Sequence, residues 1–207
     1  MKLLLTSTGL SNKSIQDALL ELTKRPFSEL KVAFIPNAAD NYADKWFVIK
    51  DRNKLIELGM DVVDVDVREK TQQELLSAFS DCDVIFVAGG NTFYLLQCVK
   101  ESGAGEIIKD LVRKGIIYIG SSAGSILVGP SLELIKTLDD PGEAPLLKSY
   151  AGLKLVDFVI FPHFIKNNPD KKEIDAMKKY SEEYKIIPIS DEQAVFVEDG
   201  NFKIIGE

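Results

Sequence analysis

Ile117-Tyr118-Ile119-Gly120-Ser121-Ser122-Ala123-Gly124-Ser125-Ile126-Leu127 is the stretch on which the fold turns. Residues 116–119 are apolar without interruption, so both faces of the segment expect burial. In a water-soluble chain that describes a central strand of a parallel sheet. Gly120-x-Ser122-x-Gly124 follows at once, and the apolar residues after it open a helix. A buried strand that passes through a tight, glycine-flanked turn into a helix is the setting in which a serine hydroxyl is held clear of the backbone.

Working outward, the same alternation recurs. Short β-branched runs at 2–6, 31–35, 61–65 and 83–88 predict further strands beside 116–120. Segments of helical period lie between them. Residues 12–24 carry an apolar stripe at Ile15, Leu19 and Leu22, with Ser14 as the capping signal. Residues 42–58 form a second helix, closed by Gly59, in which Trp46 and Phe47 are expected to pack on the sheet, or to form an interface if they face outward. Residues 71–79, 92–101 and 105–114 complete the covering layers. Strand and helix in turn predict an α/β fold: three layers, doubly wound, on a mainly parallel sheet. Beyond Gly129-Pro130 come a polar loop at 136–144, a strand at 156–161, a charged helix within 168–184, a strand at 186–189 and a hairpin of 194–198 with 202–205. No repeat, low-complexity tract or linker divides residues 1–207, which read as a single domain.

Of the 207 residues, 25 are Lys or Arg and 32 are Asp or Glu, giving a net charge of −7. That balance, without a basic stripe, excludes a nucleic-acid partner, because phosphate neutralisation needs local cationic excess. No apolar run approaches the roughly 18 residues that span a bilayer, and the first residues lack a signal-peptide pattern, so no membrane partner and a cytoplasmic location are expected. Cys82 and Cys98 have no second Cys or His at ligand spacing. They read as buried thiols, and neither a metal nor a cofactor is implied.

Chemistry concentrates at strand ends, where a parallel sheet opens its site. Ser122 is the candidate nucleophile and needs a proton acceptor. The chain holds one histidine, His163, directly after the strand at 156–161 and Pro162. A carboxylate must then orient the imidazole. Glu192, in Ser190-Asp191-Glu192-Gln193 beyond the strand at 186–189, is a candidate at the same edge, whereas Asp139 and Asp140 lie in the long loop. Ala88-Gly89-Gly90-Asn91-Thr92 also follows a central strand. Gly90 and Ala123 are candidate backbone donors for an oxyanion. The glycine pair could equally serve a phosphate or close packing, but it is neither G-x-G-x-x-G nor a Walker motif.

Gly89-Gly90-Asn91-Thr92-Phe93, Tyr118 through Gly124, and Pro162-His163-Phe164 together resemble the peptidase E family of serine peptidases, which also includes cyanophycinases. The resemblance implies the three-layer fold of class I glutamine amidotransferases, with Ser in place of their Cys at the elbow. It implies Ser122 as nucleophile, His163 as general base, and Gly90 and Ala123 as oxyanion donors. It points to Glu192 as third member, with Asp140 and then Asp139 next. The implied substrate is a small peptide, an N-terminal Asp-X dipeptide in the aspartyl dipeptidases. This chain lacks their Arg-bearing segment after the histidine and offers Lys166 there. The expected activity is hydrolysis of short peptides through an acyl-enzyme. A cyanophycinase-like hydrolase of acidic or isopeptide-linked substrates and a non-catalytic ligand-binding homologue are the rivals, and the oligomeric state is left open, with a homodimer as the candidate assembly.

Overall fold

The computed structural model describes residues 1–206. The chain runs through β1 (Lys2–Thr6), α1 (Lys13–Thr23), β2 (Lys31–Ile35), α2 (Trp46–Glu57), β3 (Asp61–Asp64), α3 (Gln72–Ser80), β4 (Val84–Val87), α4 (Thr92–Glu101), α5 (Ala104–Arg113), β5 (Ile117–Ser121) and α6 (Ala123–Leu127). It continues through β6 (Phe158–Phe161), α7 (Lys171–Tyr180), β7 (Lys185–Pro188), β8 (Ala194–Glu198) and β9 (Asn201–Ile205).

Seven strands form one sheet in the order β3-β2-β4-β5-β1-β8-β9. The pairs from β3 to β1 are parallel, and β8 and β9 extend the sheet antiparallel. Strand residues alternate between its faces as the pleat requires. Leu3, Leu5, Val87 and Tyr118 are buried under α3 to α6. Leu4, Phe34, Phe86 and Ile119 are buried under α1 and α2. This is the three-layer α/β arrangement expected, and each fully buried Leu, Ile or Phe contributes about 1.5–3 kcal/mol.

Topology places the opening. The connection after β1 runs to the α1 face, and those after β4 and β5 run to the opposite face. Neighbouring connections that diverge leave a crevice at the carboxyl ends of their strands. Strands β6 and β7 lie apart from the main sheet as a parallel pair, with Phe161 opposite Pro188. Their buried residues Phe158 to Phe161 and Ile187 pack into the α3–α6 side of the core.

Three local expectations are revised. The cap of α1 is Asn12, whose side chain accepts from the Ile15 amide, and Ser14 lies inside the helix. Helix α2 begins at Trp46, four residues later than the periodicity suggests, because the Asp44 carboxylate accepts from the Trp46 amide at 3.1 Å and fixes the start there. Trp46 is 60% exposed and does not pack on the sheet, whereas Phe47 is half-buried. Both cysteines are buried and free.

Candidate active site

The elbow is held from several sides. Ser122 has φ 48° and ψ −108°, a conformation that costs a non-glycine residue about 1–3 kcal/mol and persists only where its surroundings impose it. Here the Ser122 amide donates to the Thr6 carbonyl at 3.0 Å. The buried Ser125 hydroxyl donates to the carbonyls of Thr6 and Gly120, and the Tyr118 hydroxyl donates to the Gly124 carbonyl at 2.6 Å. Neither flanking glycine has room for a side chain. A Cβ on Gly120 would lie 2.5 Å from the Ser125 nitrogen, and one on Gly124 would lie 2.1 Å from the Val87 carbonyl oxygen.

The imidazole of His163 meets this turn although 41 residues separate the two. Its Nε2 lies 3.0 Å from Ser122 Oγ. Its Nδ1 lies 2.7 Å from Asp191 Oδ1. The carboxylate on the histidine is therefore Asp191 and not Glu192. Beyond β7 the chain turns back toward β8, and adjacent side chains leave in different directions. Asp191 points to His163, while Glu192 Oε2 accepts from Asn12 Nδ2 at 3.1 Å. The loop acids are also engaged elsewhere. Asp139 accepts from the Thr92 amide at 2.8 Å and from its hydroxyl, and Asp140 accepts from the Gly142 amide at 2.8 Å.

Ser7, directly after β1, was not singled out by the sequence. Its buried hydroxyl donates to Asp191 Oδ1 at 2.7 Å, accepts from the His163 amide at 2.9 Å, and lies 3.2 Å from His163 Nδ1. It thereby ties the β1 end to both the histidine and its carboxylate. The polar triplet Thr6-Ser7-Thr8 straight after the apolar run Leu3-Leu4-Leu5 was the available signal.

The second glycine turn packs on the elbow. A Cβ on Gly89 would sit 3.3 Å from Ser122 Cβ. Gly90 has φ 140°, and a Cβ there would fall 2.2 Å from the Ala38 carbonyl oxygen, so only glycine fits. Asn91 caps α4 by accepting from the Tyr94 amide, which holds the turn in place. Among the described residues neither the Gly90 nor the Ala123 amide has a protein acceptor. Ala123 is the first residue of α6, where such a free N–H is expected.

Ser122, His163 and Asp191 share a cavity of about 480 Å³ with Gly89, Gly90, Tyr42, Trp46, Phe47, Lys50 and Asp51. Burial pushes the Asp51 carboxyl up to about 6, although the Ser121 hydroxyl and Lys50 partly offset it. Burial likewise raises Asp139, against the stabilising bonds from Thr92. Lys166 lines an adjoining groove with Glu192 and does not line this cavity. Among the described residues no helix is long and apolar enough to cross a membrane.

Comparison with known proteins identifies the family. The family model for peptidase family S51 matches residues 3–205. The chain is 36% identical over 169 residues to an uncharacterized peptidase, Lin0382, of Listeria innocua, covering 81% of this chain and 80% of that protein. It is 30% identical over 169 residues to peptidase E of Escherichia coli, covering 81% and 70%. A crystal structure of a candidate peptidase E protein from Listeria monocytogenes EGD-e superposes with a TM-score of 0.85 at 32% identity, over 98% of this chain and 96% of the other. Elbow, histidine and glycine turn thus sit on a chain that belongs to peptidase family S51.

Proposed function

We propose that this peptidase hydrolyses short peptides through an acyl-enzyme on Ser122. The observation that carries the reading is the unbroken line from Ser122 Oγ to His163 Nε2 at 3.0 Å and from His163 Nδ1 to Asp191 at 2.7 Å. Ser122 Oγ attacks the scissile carbonyl as its proton passes to Nε2, and the imidazolium that forms is stabilised by the Asp191 carboxylate. The tetrahedral oxyanion takes hydrogen bonds from the free amides of Gly90 and Ala123. Nε2 then returns the proton to the leaving amine as the C–N bond breaks. Water repeats the sequence on the ester, releasing the acid and restoring the hydroxyl.

Size and lining support a short substrate. A space of about 480 Å³ holds a few residues and not a folded chain. Tyr42, Trp46 and Phe47 offer apolar faces, and Lys50 is the one cation among the described lining residues. An N-terminal aspartate would place its side chain against Lys50. The test is labelling with a fluorophosphonate probe, followed by a dipeptide library varied at the first residue. Wild type is expected to label and to turn over free dipeptides, and Ser122→Ala to do neither. A folded wild type that resists the probe under conditions that label other serine hydrolases overturns the proposal.

A further inference from the structure

Helix α2 presents Trp46, Phe47, Lys50 and Asp51 to the cavity, and Phe47 and Asp51 stand one turn apart. A helical spacing of four puts both on one face. The Phe47 ring comes within 4.0 Å of the Cβ position of Gly89, which is itself 3.3 Å from Ser122 Cβ, so this face abuts the elbow. One turn further on, the Asp51 carboxylate occupies the space that a side chain at Gly9 would fill, 2.3 Å from its Cβ position. It also lies beside the hydroxyl of Ser121, the residue before the nucleophile. Asp51 is only 8% exposed. The mechanism above does not use it.

A carboxylate buried this deeply is normally matched by a cation of the protein. Lys50 is the cation that acts on it, yet among the described residues the two form no ion pair. The Ser121 hydroxyl is the other side chain that acts on it. Yet the group lines the cavity in which the reacting serine sits, so a cation can reach it from the substrate side.

We infer that Asp51 is the anchor for the free α-ammonium group of the peptide, making the enzyme selective for unblocked amino termini. This rests on the reading of Ser122 as the acylated serine. When Ser122 attacks the carbonyl of the first residue, that residue's ammonium lies two bonds from the carbon under attack. An anionic site one residue from the nucleophile, on the wall beside it, suits that short separation. A charged hydrogen bond of this kind is expected to favour the free peptide over its blocked form by roughly 10- to 100-fold.

The test compares alanyl-phenylalanine, whose only cation is the α-ammonium, with its Nα-acetyl derivative. Binding is measured by calorimetry on Ser122→Ala protein, so turnover is not needed. The single variant is expected to bind the free peptide at least 10-fold more tightly, and Ser122→Ala combined with Asp51→Asn to lose that preference. In parallel, Asp51→Asn alone should keep its fluorophosphonate labelling, which shows that the fold and the elbow survive the substitution. Equal binding of the two peptides by Ser122→Ala, or a preference that survives in the double variant, overturns the inference. Recovery of tight binding by an acetylated peptide with a lysine side chain also overturns it, since the site would then read a side chain. Failure of the wild type to label would instead strike the acyl-enzyme reading.

Discussion

Asp51→Asn should stabilise the protein, and only above a definite pH. In the fold the carboxyl titrates near 6, against an ordinary value of 3.8, and burial is the main cause. The folded state therefore holds the proton more tightly than the unfolded chain. Below about pH 3.8 both states are protonated and burial carries no penalty. Between that value and about 6 the unfolded chain ionises first and the penalty grows. Above about 6 it levels off at about 3 kcal/mol, at 1.36 kcal/mol for each pH unit that separates the two values. The asparagine side chain has the same shape, stays neutral throughout and keeps an acceptor for the Ser121 hydroxyl. For a chain of this length about 3 kcal/mol corresponds to roughly 6–12 °C in melting temperature. Melting followed by circular dichroism from pH 4 to pH 8 should show the variant and wild type nearly level at the acid end and separated by that amount at pH 8. A difference that does not change with pH, or a wild type that is the more stable at pH 8, would refute the assignment of this cost to the buried charge. The expected pairing of greater stability with lost selectivity for free amino termini is the usual exchange at a functional site.

Asp191→Asn is expected to lower kcat on a dipeptide by about 10⁴-fold, while Glu192→Gln leaves it within about twofold, since only Asp191 meets the imidazole. Steady-state assays of the two variants decide which acid orients the histidine. Ser7→Ala removes the hydroxyl that joins Asp191 to the His163 amide and should cost roughly 10- to 100-fold in kcat with KM nearly constant, measured on the same substrate. Gly90→Ala drives a Cβ into the Ala38 carbonyl at a φ that favours glycine, so urea unfolding should show a loss above about 4 kcal/mol or no folded protein at all.

The elbow was legible because two signals of different origin coincide within residues 117–124. An unbroken apolar run marks a doubly buried strand, and two glycines mark backbones too close for a side chain. His163 was legible because it stands alone in the sequence and follows a strand. The choice between Asp191 and Glu192 was not, because two neighbouring acids after a strand differ only in the direction of their side chains, and a turn sets that direction. Ser7 and Asp51 escaped notice for another reason. A small hydroxyl residue after a strand and an acid in a charged helix are ordinary in sequence, and only tertiary packing buries the one against the histidine and the other in the cavity. The late start of α2 at Trp46 was hidden because the bond from the Trp46 amide to the Asp44 carboxylate holds residues 42–45 outside the helix despite the apolar period that begins at Tyr42.

The separate β6-β7 pair has a consequence for heat tolerance. Among the described residues no strand pairing joins it to the seven-stranded sheet, so His163 is held beside Ser122 by side-chain packing around Phe158 to Phe161 and by its bonds to Ser7 and Asp191. Partial opening of such a ribbon requires less free energy than unravelling the whole molecule. Warming is thus expected to drain turnover while the helical signal is still intact, and the enzyme's working ceiling falls short of its melting point.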